Sequence, residues 1–131
     1  MGSRGYRNLT TGQVVKTIKK GKISFTLSGF LFDYRKADLK AEAVKSLSML
    51  ASKIKGAKVI KVYGYTETDT KSAEIKAANL ILAKDRTVSV VNFLKGKLKG
   101  VKYLTYGKGG VNPVSITNQA LNRRVVIEVS F

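Results

Sequence analysis

Asn122-Arg123-Arg124-Val125-Val126-Ile127-Glu128-Val129 joins a polar, doubly cationic entry to a run of alternating apolar residues. Val125, Ile127, Val129 and Phe131 alternate with Val126, Glu128 and Ser130, the period of a half-buried strand. Alternation also places Arg123 on the side of Val125 and Arg124 on the side of Val126, so one of the two points toward the layer that covers the sheet. An arginine on that side needs a partner, because breaking a buried ion pair costs roughly 3–5 kcal/mol. Asp33 or Asp38 would serve, and so would a bound anion.

Upstream of this strand the elements fall in a regular order. Ile23, Phe25 and Leu27 alternate with Ser24, Thr26 and Ser28, which predicts a strand continuing to about Phe32. Asp38 stands where an N-cap would, and Leu39, Ala43, Leu47, Leu50 and Ile54 recur at helical steps until Gly56 closes the segment. Val59 to Tyr65 is short, β-branched and aromatic, hence a second strand. A long helix is expected from Ser72 to Leu98, with Leu80, Ala83, Thr87, Val90, Val91, Leu94 and Leu98 on its buried stripe. Val101 to Tyr106 reads as a third strand and Gly107 to Asn118 as a loop. The expected fold is therefore α+β: a two-layer βαβαββ sandwich, with a mixed four-stranded sheet and two main helices on one face. Residues 1–20 are expected to be a flexible N-terminal segment and 21–131 the domain.

Composition narrows the chemistry. The 131 residues suit one domain, and with no cysteine and no histidine the thiolate ligands, the Cys nucleophile and the commonest general base are all missing. Asp33 and Asp38 have no accompanying nucleophile or base, so an enzyme is not expected, nor a metal or other cofactor. Gly107-Lys108-Gly109-Gly110 lacks the following helix that a phosphate loop needs and reads as a connector. No apolar run approaches the roughly 20 residues that span a bilayer. The 25 Lys and Arg against 8 acids give a net charge of +17, a field that concentrates anionic partners or simply keeps the surface solvated. Phe25, Phe30, Phe32, Phe93 and Phe131 occupy core-type positions, leaving Tyr63, Tyr65, Tyr103 and Tyr106 as the aromatics open to exposure. No aromatic-basic motif stands out, so specific nucleic-acid binding is not expected.

With the Asn122-Arg123-Arg124 entry, two further groups of residues could build a small anion-binding pocket. Asn79, Ala83 and Arg86 lie at i, i+4 and i+7, so a carboxamide and a guanidinium share one helix face with only a methyl between them. Arg86 offers a planar fork suited to a carboxylate; alternatively it pairs with Asp85 or Glu128. Thr66, Glu67 and Asp69 follow the second strand, where an acid could receive an ammonium; Asp69, Thr70 and Ser72 are also good helix caps.

These segments together resemble the OmpA-like peptidoglycan-binding family from about Ile23 to Val129. Phe30-Leu31-Phe32-Asp33 with Lys36-Ala37-Asp38-Leu39 is similar to its first strand-to-helix turn, and Gly64-Tyr65-Thr66-Glu67 to its Gly-aromatic-Thr-Asp loop. Asn79 with Leu82 through Arg86 looks like its Arg-bearing helix, and Gly109 through Val114 with Asn122-Arg123-Arg124-Val125 like its Pro-Val loop and final strand. The resemblance implies a noncatalytic module of the bacterial cell envelope, outside the cytoplasm, that holds the peptidoglycan stem peptide by its diaminopimelate-type residue. It implies that Glu67 receives the ammonium and Arg86 the carboxylate, with Asp38, Thr66, Asn79 and Arg123 lining the pocket. Glu67 replaces the family's Asp and the spacing to Arg86 is longer, so Asp69 is the alternative acid. A second expectation keeps the fold without the pocket: a basic adhesion or assembly module acting on anionic wall polymers.

Overall fold

A computed structural model describes residues 13–19, 22–28, 32–33, 36–66, 72–110 and 122–131. In chain order the elements are β1 (Gln13–Lys19), β2 (Lys22–Ser28), α1 (Ala41–Lys53), β3 (Val59–Tyr65), α2 (Ala73–Lys95), β4 (Lys102–Gly109) and β5 (Arg124–Ser130). The sheet runs β1-β2-β5-β3-β4; β3 and β4 are parallel and every other neighbouring pair is antiparallel. The βαβαββ order, the mixed sheet and the two helices are as the sequence predicts. A fifth strand, β1, is added at the edge from residues assigned to the flexible segment.

β5 fixes the register. Val125, Ile127 and Val129 lie beside Leu27, Phe25 and Ile23 of β2 and beside Gly64, Val62 and Ile60 of β3. A slip of one residue on either side would turn this apolar set to the open face. The helices cover the apolar face: Ala43, Leu47, Leu50 and Ala51 of α1 and Val90, Val91 and Leu94 of α2 join the strand residues in one core.

α2 approaches the sheet closely at two glycines. A Cβ on Gly64 would lie 2.5 Å from the Ala83 carbonyl oxygen, and one on Gly107 2.9 Å from the Lys84 backbone nitrogen. The reading of Gly107 to Gly110 as a connector is thus corrected: Gly107 to Gly109 belong to β4, with an irregularity in the register to β3. Closeness there seats the first half of α2 directly over the C-terminal ends of β3 and β4.

Other expectations shift locally. Lys40, not Asp38, is the N-cap of α1; its side chain makes no capping bond, and Asp38 is exposed. The carbonyls of Lys36 and Ala37 accept bonds from Arg86 and Ser89 of α2, which holds this approach to α1 out of the helix. Ser72 caps α2, its Oγ accepting from the Ile75 N–H at 3.4 Å. Leu80 is 46% exposed because the inward stripe runs through its neighbour Asn79 instead. β2 is described over Lys22–Ser28, residues 29–31 of its expected continuation lie outside the described residues, and Phe32 reaches the core. Phe131 is 56% exposed, and Tyr103 is half-buried, its hydroxyl donating to the Leu98 carbonyl. Phe30 and the loop segment 111–118 lie outside the described residues.

Candidate functional site

Asn79, Ala83 and Arg86 all face inward on α2, with 1%, 0% and 0% of their surface exposed. Arg86 is the largest fully buried side chain among the described residues. A buried guanidinium demands hydrogen-bond acceptors, and three carbonyls on two backbone segments supply them. Its Nε donates to the Lys36 carbonyl at 2.8 Å, Nη2 to the Asp33 carbonyl at 3.3 Å and Nη1 to the Tyr65 carbonyl at 3.5 Å. The guanidinium carbon also lies 5.0 Å from the centre of the Phe32 ring, within cation–π range. One side chain of α2 thereby ties the β2-to-α1 connection to the end of β3. Ser89, one turn on, adds a bond to the Ala37 carbonyl at 2.7 Å.

The pairing of Arg86 with Glu128 is overturned. Glu128 sits on the sheet face away from the helices, near Lys22 at 3.9 Å and Lys61 at 4.0 Å. Asp33 does not answer the strand arginines with its carboxylate, which bridges Lys40 at 3.3 Å.

Polar residues gather at this end of the sheet. Thr66 is 1% exposed directly after β3, and its N–H donates to the Gly109 carbonyl at 2.9 Å, carrying the β3–β4 ladder one step further. Asn122 is fully buried before β5, and Arg124 is 6% exposed, its guanidinium 3.8 Å from the centre of the Tyr65 ring. Arg123 is half-buried. Thr66, Asn79, Arg86 and the entry to β5 therefore converge where β3 and β4 end and β5 begins. Asp38 is exposed, two residues beyond the Lys36 carbonyl that holds Arg86. Glu67 and Asp69 lie outside the described residues.

Of the residues at the entry to β5, the sequence points to Arg123 alone for the pocket, whereas Asn122 and Arg124 are the ones that are buried. The register gave the available signal: Gly64 beside Val125 puts Tyr65 next to Arg124 on the open face. That face also carries an aromatic-basic group not visible in the sequence order. Tyr63 and Tyr106 stack at 4.9 Å, with the Lys108 ammonium 5.8 Å and 6.0 Å from their ring centres. These rings are engaged with each other and with Lys108, which is a cross-strand packing arrangement more than a stacking platform. Burial raises the Tyr63 hydroxyl above its ordinary pKa, and Glu128 adds to the rise.

A mixed sheet covered on one face by two helices is the fold of an OmpA-like domain. The chain belongs to the OmpA family, whose model matches residues 31–126. Among solved structures it is similar to a putative MotB-like protein from Desulfovibrio vulgaris, at 23% identity over 91% of this chain and 82% of that one, with a TM-score of 0.75. It is similar to the cell wall anchor of the T6SS from Pseudomonas aeruginosa, at 22% identity over 88% and 86% of the two chains, TM-score 0.73. The periplasmic domain of Helicobacter pylori MotB is also similar, at 21% identity over 90% and 82%, TM-score 0.63. A search of curated proteins found no match. No helix among the described residues is long and apolar enough to cross a membrane.

Proposed function

We propose that this domain is a noncatalytic anchor of the bacterial cell envelope that binds peptidoglycan through the stem peptide. In this reading the Arg86 guanidinium takes the carboxylate of a diaminopimelate-type residue, and Glu67, or Asp69, takes its ammonium. Asp38, Thr66, Asn79 and Arg123 line the rest of the pocket. Family membership and the likeness to a cell wall anchor support the anchoring role. The observation that carries the site is the buried guanidinium of Arg86, oriented by carbonyls from two separate segments. Such an arrangement fixes the donor plane before any ligand arrives, which lowers the ordering cost of binding.

Affinity is modest in this reading. Each charge-assisted bond is worth about 1.5–3 kcal/mol. Arg86 has no exposed surface, so the ligand must displace the chain that covers it. The net charge of +17 favours the second reading, a basic module held on anionic wall polymers by charge alone. A pull-down on purified sacculi at two salt concentrations, with and without free diaminopimelate, separates the two. Competition by diaminopimelate at both salts supports the pocket; loss of binding with salt and indifference to the amino acid refutes it.

A further inference from the structure

At the other end of the sheet, where β5 finishes, the apolar face is left partly uncovered. β1 extends the sheet beyond α1, so Lys16 and Ile18, in register with Phe25 and Ile23, have little above them, and Ile18 is 66% exposed. The gap between β1, β2 and the last turn of α1 is a cleft of about 340 Å³. Ile23 and Phe25 form its floor, Leu50 and Ile54 its wall, and Phe131 closes one side. Met49, 58% exposed, stands at its mouth.

The charged side chains among its described lining residues have one sign. Among the described residues, Lys16 and Lys53 are the only charged side chains of the lining, both are exposed, and neither is in an ion pair. The volume lies within the range of about 300–1,000 Å³ of small-ligand sites and is too small for a docked helix. An apolar trough with cations at its rim matches a molecule with an apolar tail and a single negative head. Long lysine stems can lie along the tail while their ammonium groups meet the head.

We propose that this cleft binds one linear acyl chain with an anionic head group, in the form of a monomeric amphiphile. The tail rests on Ile23, Phe25 and Leu50, and the head lies between Lys16 and Lys53. The site is separate from the Arg86 cluster, since Arg124 and Phe131 mark opposite ends of β5 and its exit.

Decanoate, kept below its micelle-forming concentration, is titrated into the domain by calorimetry and by amide and methyl chemical shift. Saturable binding is expected, with shifts at Ile23, Phe25 and Leu50. The double variant K16E/K53E should weaken it by about tenfold or more. Ser46→Trp, which fills the cleft from α1, should also weaken it while circular dichroism and sacculus binding stay unchanged. Decyltrimethylammonium, with the same tail and the opposite charge, should bind far more weakly. Absence of saturable decanoate binding, equal binding of the cationic amphiphile, an unaffected K16E/K53E variant, or association only with anionic vesicles would each overturn the proposal.

Discussion

Truncating Arg86 to alanine tests whether one side chain holds together the end of the domain that carries the polar cluster. Two of its bonds are well formed, to Lys36 at 2.8 Å and Asp33 at 3.3 Å, and the third, to Tyr65 at 3.5 Å, is at the limit of length. Hydrogen bonds from a charged donor contribute about 1.5–3 kcal/mol each, so the two good ones set the scale. The alanine variant also abandons carbonyls on two segments and leaves the volume of a large buried side chain empty, while removing a buried charge offsets part of that. The expected net loss is about 3–5 kcal/mol, the range for breaking a buried charged network. Urea denaturation measures it, as a lower midpoint with unchanged slope. Arg86→Lys should fall between wild type and alanine, because a single ammonium cannot span carbonyls that approach a planar fork from different segments. A loss below about 1 kcal/mol, the scale of an ordinary substitution, would refute the argument that this guanidinium ties the connections together.

Gly64→Ala should destabilise the domain by about 1–3 kcal/mol or more, since the new methyl meets the Ala83 carbonyl oxygen at 2.5 Å and the Thr87 Cγ2 at 2.8 Å; thermal melts of the variant check this. Asp33→Asn should cost only about 0–1 kcal/mol, because its bridge to Lys40 is largely solvent-exposed, and a larger effect in urea would contradict the assignment of Arg86 to the carbonyl of that residue. Burial raises the hydroxyls of Tyr63 and Tyr103 above 10.0. A phenol that ionises later in the folded chain contributes stability that is complete below about pH 10 and is lost as pH rises through the folded value. The Tyr63→Phe variant should accordingly lose less stability than wild type between neutral and strongly alkaline pH.

Much of the architecture was readable because its strands alternate and its helices repeat at three and four residues. Val125, Ile127 and Val129 announce a strand with one buried face, and Val90, Val91 and Leu94 a helix stripe. β1 escaped because Val14-Val15-Lys16-Thr17-Ile18 does not alternate, and its lysines look like solvated linker; they also suit an edge strand, where charge discourages further pairing. The inward turn of Arg86 was legible from its spacing to Asn79 and Ala83. Its acceptors were not, since backbone carbonyls carry no sequence signal. The same hidden contacts moved the start of α1 from Asp38 to Lys40: bonds from Arg86 and Ser89 hold residues 36 and 37 in place more strongly than a capping side chain selects the first turn. Arg124 was missed because its partner, Tyr65, becomes its neighbour only once β5 is laid against β3.

That placement of β5 governs how the domain assembles. The strand occupying the middle of the sheet is made after all the others, so β1 with β2 and β3 with β4 remain two unjoined halves, each with an open edge, until it slides between them. Pairings so distant along the chain are slow to form. Until β5 is in place, the two halves present open sheet borders to chaperones and proteases.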